Sequence, residues 1–354
     1  MDEKSQPNVS ETPLQTSSTS VPSSRNKSKK AIAQIVISAL MLALALVIKG
    51  LSELFPFLNF PQGGSITIIL VPLVLCGLYC GPIWGTLISI AFGLFDFLWD
   101  GAAGWFASTS AAVVCCLLDY VVAFGVIGLA SIFRRSFFEK KPAQPVLGLI
   151  LAGLLRFLSH LFSGIIVFNQ IANYNDDGLL TTLTPNWTSG GFVYSFSYNG
   201  AYMFPTIALS ALVLAIIMKP LYSTFHLPYI KVLEPKNLEV NQDTDFTTQS
   251  IFDSLLPYLE GMFALLGVSS LIPDSGKLPD HYVTVMANLG YVSLLLMACV
   301  DIYLFIAFYN AIKNKKEEKK TYVLYLLLSL FVFGISILGI VSQYTFGAPI
   351  PEEA

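Results

Sequence analysis

The chain has 354 residues, 54% of them hydrophobic and only 12% charged, with a mean hydropathy of +0.66. These values exclude an ordinary soluble domain and point to a polytopic membrane protein. The formal net charge of −3 is uninformative by itself, because its distribution along the chain matters more than its sum; no nucleic-acid partner is expected.

Residues 1–28 are rich in Ser, Thr, Pro, Gln and Asn and hold almost no large apolar side chains, so they read as a disordered cytosolic tail. The segment is too long and too polar for the n-region of an ordinary signal peptide, and the apolar run after Lys30 reads as a retained first span. A bilayer core takes about 20 apolar residues per helix. Spans are predicted at 31–50, 65–80, 82–99, 108–133, 145–168 and 191–218. A polar, Pro-containing stretch follows, from Lys219 to about Gln249, and then three further spans near 251–272, 284–311 and 321–344. The chain therefore divides into a tail (1–28), a six-helix domain (29–220), a polar cytosolic linker (221–250) and a C-terminal membrane extension (251–354).

Charge sets the orientation. Arg25, Lys27, Lys29 and Lys30 precede the first span, "RRSFFEKK" (134–141) follows the fourth, Lys219 follows the sixth, and "KNKKEEKK" (313–320) follows the eighth. All four clusters fall on the cytosolic side when every segment crosses. The loop 169–191, with two aspartates and no Lys or Arg, then lies outside. Nine spans follow, with the N-terminus inside and the C-terminus outside. The five cysteines (Cys76, Cys80, Cys115, Cys116, Cys299) sit in apolar runs without a C-x-x-C pair and read as small packing residues. No metal site or cofactor is expected.

Ionisable residues inside the spans are few: Asp96, Asp119, Arg156 and His160, with Asp253, Glu260 and Asp301 in the C-terminal set. Each costs roughly 2.5–3.5 kcal/mol at mid-helix on insertion scales, so each needs a partner or a cavity. A purely structural reading pairs Asp119 with Arg156 and holds two helices together; Asp301 reads the same way. A second reading starts from spacing. Arg156, His160 and Gly164 follow at i, i+4 and i+8 and share one stripe, with Phe168 further round. The block "VYSFSYNGAYMFP" (193–205) adds Tyr194, Tyr198, Asn199 and Tyr202 at the outer end of the sixth span. Tyrosines there fit an interfacial belt, but an asparagine does not. An acid, a base, an amide and several aromatics suit a small, flat, cationic or hydrogen-bonding ligand.

At these residues the chain resembles a known family. "GGSITIILVPLVL", "LLDYVVAFGVIGLASIF", "RFLSHLFSGIIVF" and "VYSFSYNGAYMFP" look like the thiamine-specific S component of energy-coupling factor (ECF) transporters, in order, across residues 31–220. The resemblance implies an all-α polytopic membrane protein with a six-helix S-component-like bundle, here followed by about three additional C-terminal transmembrane helices. It implies a thiamine pocket near the outer face, lined by Asp119 and Tyr120, by Arg156, His160 and Gly164, by Phe168 as the stacking aromatic, and by Tyr194 and Asn199. It also implies docking to a membrane T component through a small-residue patch on the first helix, here Ala39 and Ala43, and energising by two ABC-type ATPases.

The chain has no G-x-x-x-x-G-K-[ST] phosphate loop, so ATP would be used only by partner subunits, and no enzymatic activity is expected. It departs from the family just before "SITIILVP", where a loop tryptophan is replaced by Gly63 and Gly64; Phe57, Phe60 and Trp187 are the candidate covering aromatics. Two other readings stay open. One is a self-sufficient proton-coupled carrier using Asp119, Arg156 and His160, without the internal repeat such carriers often carry. The other is an intramembrane enzyme with His160 as general base, which lacks a nucleophile or metal set.

Overall fold

The computed structural model describes residues 24–55, 58–60, 63–168 and 189–236, with a few isolated positions beyond. The expected C-terminal spans, most of the linker, Phe57 and Trp187 lie outside the described residues. Among the described residues, seven helices run in chain order: α1 Ser24–Ser52, α2 Leu70–Cys80, α3 Pro82–Trp99, α4 Thr109–Phe138, α5 Ala143–Phe168, α6 Ser189–Ser223 and α7 Pro228–Lys231.

Five of these, α1, α3, α4, α5 and α6, are long and apolar enough to cross a membrane. The second expected span differs. Its helix keeps only the 11 residues Leu70–Cys80, and at about 1.5 Å per residue it is shorter than a bilayer core. Every residue of α2 is buried, so it is the central packing element rather than a lipid-facing one. A single residue, Gly81, turns the chain from α2 into α3, and Pro82 opens the new helix where its missing N–H costs nothing. The two helices lie so close that a Cβ on Gly85 would sit 2.6 Å from Gly77 Cα. Small residues permit this approach in a membrane bundle, where packing must replace the hydrophobic drive between helices.

The outer surface is apolar. Ile32, Ile35, Val36, Leu40 and Val47 on α1, and Ile83, Leu87 and Leu98 on α3, are exposed, as lipid contact requires. Ala39 and Ala43 are exposed on the same outer face of α1.

At one end of the bundle the last turns of α2, α4 and α6 meet, and the first half of α1 joins α2 there. Gln34 Nε2 donates to Cys80 O at 2.8 Å. Tyr79, Phe137, Phe138, Tyr222 and Phe225 form an aromatic cluster, with Tyr79 and Phe137 meeting edge-to-face at 5.0 Å. Arg134 lies over the Phe138 ring at 5.1 Å, donates to Tyr79 O at 3.1 Å and also donates to Leu233 O. Ile230 and Leu233 are buried, so the packed unit continues past residue 220 into the segment expected to begin a polar linker. The apolar residues scattered through that stretch explain the difference.

Candidate functional site

The opposite end of the bundle holds a cavity. Its walls come from the last turn of α1, the loop 63–65, the end of α3, the first half of α4, the second half of α5 and the first half of α6. Seven of the eight residues expected to bind ligand line it: Asp119, Tyr120, Arg156, His160, Gly164, Phe168 and Asn199. The eighth, Tyr194, lies on α6, with its side chain outside the described residues.

Asp119 and Tyr120 sit on a π-helical turn, Cys116–Val122, inside α4. Such turns widen the helix and re-aim side chains, and they recur at functional sites. Two neighbours hold this one. Ser159 Oγ on α5 donates to Leu118 O at 2.6 Å. On the other side α3 approaches through Gly93, where a Cβ would run into Tyr120 O and lie 2.8 Å from the Phe124 ring. A second π turn, Gly164–Phe168, ends α5.

Asp119 pairs with His160 and not with Arg156. His160 Nδ1 lies 2.8 Å from Asp119 Oδ1, while Asp119 Oδ2 accepts from Ser163 Oγ at 2.5 Å and from Cys115 Sγ at 3.4 Å. Arg156 places its guanidinium 4.3 Å over the Phe124 ring, a cation–π contact. The expected Asp119–Arg156 pair is therefore replaced, because the histidine one turn further along α5 reaches the acid. Among the described residues that line the cavity, two buried nitrogens keep no hydrogen-bond partner, His160 Nε2 and Arg156 Nε. An unsatisfied buried polar atom is costly, and both belong to residues that line the cavity. They are ready-made contacts for a polar ligand.

Asn199 is already engaged. Its Nδ2 donates to Ser195 O at 2.9 Å and to His160 O at 3.2 Å, and its Oδ1 accepts from Tyr202 OH at 2.9 Å. It therefore ties α6 to α5 at the level of the histidine. Gly164 makes that contact possible: a Cβ there would collide with the Ser195 side chain and come within 3.2 Å of Asn199 Nδ2. The glycine admits a neighbouring helix and, through it, shapes the cavity wall.

An aromatic rim closes the site. Gly63 (φ 85°) and Gly64 (φ 91°) take the left-handed backbone that glycine alone adopts easily. A Cβ on Gly63 would stand 2.9 Å from the Trp105 ring, and one on Gly64 would stand 2.7 Å from the Tyr202 ring. Trp105 meets Phe168 edge-on at 6.4 Å, and Tyr198 OH donates to Gly63 O at 3.0 Å. Phe60 packs behind, against Tyr198 and Tyr202 at 5.9 and 5.5 Å. The glycines that stand where a tryptophan was expected thus make room for a tryptophan from elsewhere.

Sequence reasoning missed three groups here. Trp105 lies in the short "DGAAGWF" connection after α3, which carries no periodic signal. Lys49 and Asp100 sit at the ends of α1 and α3, where charges normally mark the interface. Instead Lys49 is buried, with Nζ 2.8 Å from Asp100 Oδ1, 3.1 Å from Asp96 Oδ1 and 3.4 Å from Glu53 Oε1. Tyr120 OH donates to Asp100 Oδ2 at 3.2 Å, which links this cluster to the Asp119 turn. The i, i+4 spacing of Asp96 and Asp100 on one helix face was the available signal.

Comparison with known proteins gives three findings. The family described as "Thiamine transporter protein (Thia_YuaJ)" matches residues 35–226. The thiamine transporter ThiT of Bacillus subtilis (strain 168) is 32% identical over 201 residues, which cover 54% of this chain and 93% of that protein. The solved structure of ThiT from Listeria monocytogenes shares 20% identity with a TM-score of 0.42, covering 58% of this chain and 100% of that one.

Proposed function

The chain belongs to the thiamine transporter protein family, and from that premise we propose that it is the substrate-binding membrane subunit of an ECF-type vitamin transporter. It captures thiamine from outside and delivers it inward when coupled to a T component and two ABC-type ATPases. The observation that carries the reading is the cavity itself, where a buried carboxylate, two unpartnered buried nitrogens and an aromatic rim converge.

Each feature answers a part of thiamine. The thiazolium ring is permanently cationic and flat. Asp119 supplies its counter-charge, while Tyr120, Phe168 and Trp105 offer ring faces. The aminopyrimidine ring donates and accepts hydrogen bonds, which His160, Arg156, Tyr194 and the remaining lone pair of Asn199 Oδ1 return. Gly164 keeps the α5–α6 wall close.

Three further observations favour coupling to partners and an inward N-terminus. The chain has no phosphate-binding loop of its own. Ala39 and Ala43 are exposed on α1 rather than buried inside the bundle, a small-residue stripe open to a second membrane protein. The basic clusters around Arg25 and Arg134 lie at the bundle end opposite the cavity, so the positive-inside rule directs the cavity outward.

Binding tests the proposal most directly. The full chain, purified alone in detergent, is expected to bind thiamine saturably without ATP, read by calorimetry and by quenching of tryptophan fluorescence. An absence of saturable binding would overturn the assignment.

A further inference from the structure

The cluster formed by Lys49, Asp96 and Asp100 has no role in cation capture as described so far, yet it lines the same cavity. We propose that it is the specificity element of the site, admitting the free vitamin and refusing its phosphate monoester. This inference rests on the thiamine reading above and adds to it the residues that discriminate.

A lysine in a ligand cavity is ordinarily a phosphate ligand. Here its charge is already taken up by Asp100 at 2.8 Å and Asp96 at 3.1 Å. Lys49 and Asp96 are each only 7% exposed, so little solvent screens the arrangement. Glu53, at 3.4 Å and exposed, closes the lysine off on the solvent side. Around the whole cavity stand two cations, Lys49 and Arg156, and three carboxylates, Asp96, Asp100 and Asp119. Among these five groups, one negative charge remains uncompensated.

A monocation closes that balance. A phosphate monoester adds about −1.5 to −2 at neutral pH, and would face carboxylates held in place by Lys49 and by Tyr120. In a poorly solvated site such like-charge contacts weigh far more than in water. The unpartnered Arg156 Nε and His160 Nε2, in residues 7% and 8% exposed, give a polar guest two further groups to meet.

The test compares two ligands in one assay. Thiamine and thiamine monophosphate are titrated calorimetrically into the full chain and into its Asp100→Asn, Asp96→Asn and Lys49→Met variants. The unaltered chain is expected to bind thiamine at least about tenfold more tightly than the monophosphate. Each Asp→Asn change returns positive charge to Lys49 and is expected to narrow that ratio by about tenfold. Lys49→Met is expected to keep the ratio or widen it.

A ratio unchanged in both asparagine variants, or narrowed in Lys49→Met, would overturn the specificity role while leaving thiamine binding intact. Equal affinity of the unaltered chain for the two ligands would overturn it without any variant. Failure of the unaltered chain to bind thiamine would overturn the reading beneath it and the inference together.

Discussion

Asp119 is the residue on which the site turns. Its two oxygens take hydrogen bonds from His160 at 2.8 Å and Ser163 at 2.5 Å, so the carboxylate is both oriented and available as a counter-charge. Asp119→Asn keeps the shape and removes the charge. Thiamine affinity is expected to fall about ten- to a hundredfold, the usual scale for losing a charge-assisted contact. A thermal-shift measurement on the same sample separates this from unfolding, and unchanged affinity would remove Asp119 from the pocket. Arg156 and His160 were legible because a charge inside an apolar span stands out. Their partners were not. Spacing placed both on one face of α5, but only the packed structure shows that the histidine takes the acid and the arginine takes the Phe124 ring. Lys49 escaped notice because a lysine at a helix end usually reaches water.

At the scale of elements, the π turn in α4 and the glycine that faces it form one device. Gly93 lets α3 lie against the backbone of Tyr120, and any side chain there must push the turn aside. Gly93→Ala is expected to destabilise the bundle by about 1–3 kcal/mol, as overpacking does, and to weaken thiamine binding because Asp119 and Tyr120 ride on the displaced turn. Wild-type melting temperature together with wild-type affinity would show that α3 does not hold the turn. The spans themselves were read well: 82–99 coincides with α3, and α1, α4, α5 and α6 extend the expected segments by a few residues. The π turns were invisible, since a residue pattern near 3.6 per turn does not reveal where one extra residue is inserted. Of the second expected segment, 65–80, only Leu70–Cys80 is helical, because apolar composition does not reveal where extended backbone replaces the helix.

At the scale of the molecule, the bundle separates two ends: a basic, aromatic-packed end clamped by Arg134 and a cavity end holding the buried charges. On the proposed reading, the chain captures solute and partner subunits supply the energy. In a host without its own thiamine uptake, labelled thiamine is expected to accumulate only when the chain is co-expressed with a T component and ATPases. A protonophore should leave that uptake intact while ATP is maintained. Accumulation by the chain alone would favour a proton-coupled carrier instead. The sequence by itself determined the membrane class, the order of the first six apolar segments and the stripe of polar residues on α5. Insertion depends on transfer free energy summed over about 20 neighbouring residues, a local property that a linear reading captures. Tertiary structure alone decided which charges pair, where α4 widens and which tryptophan rims the cavity. Those outcomes depend on contacts such as Lys49 with Asp100, 51 residues apart, and Asp119 with Ser163, 44 residues apart, whose energies exist only once the helices have packed.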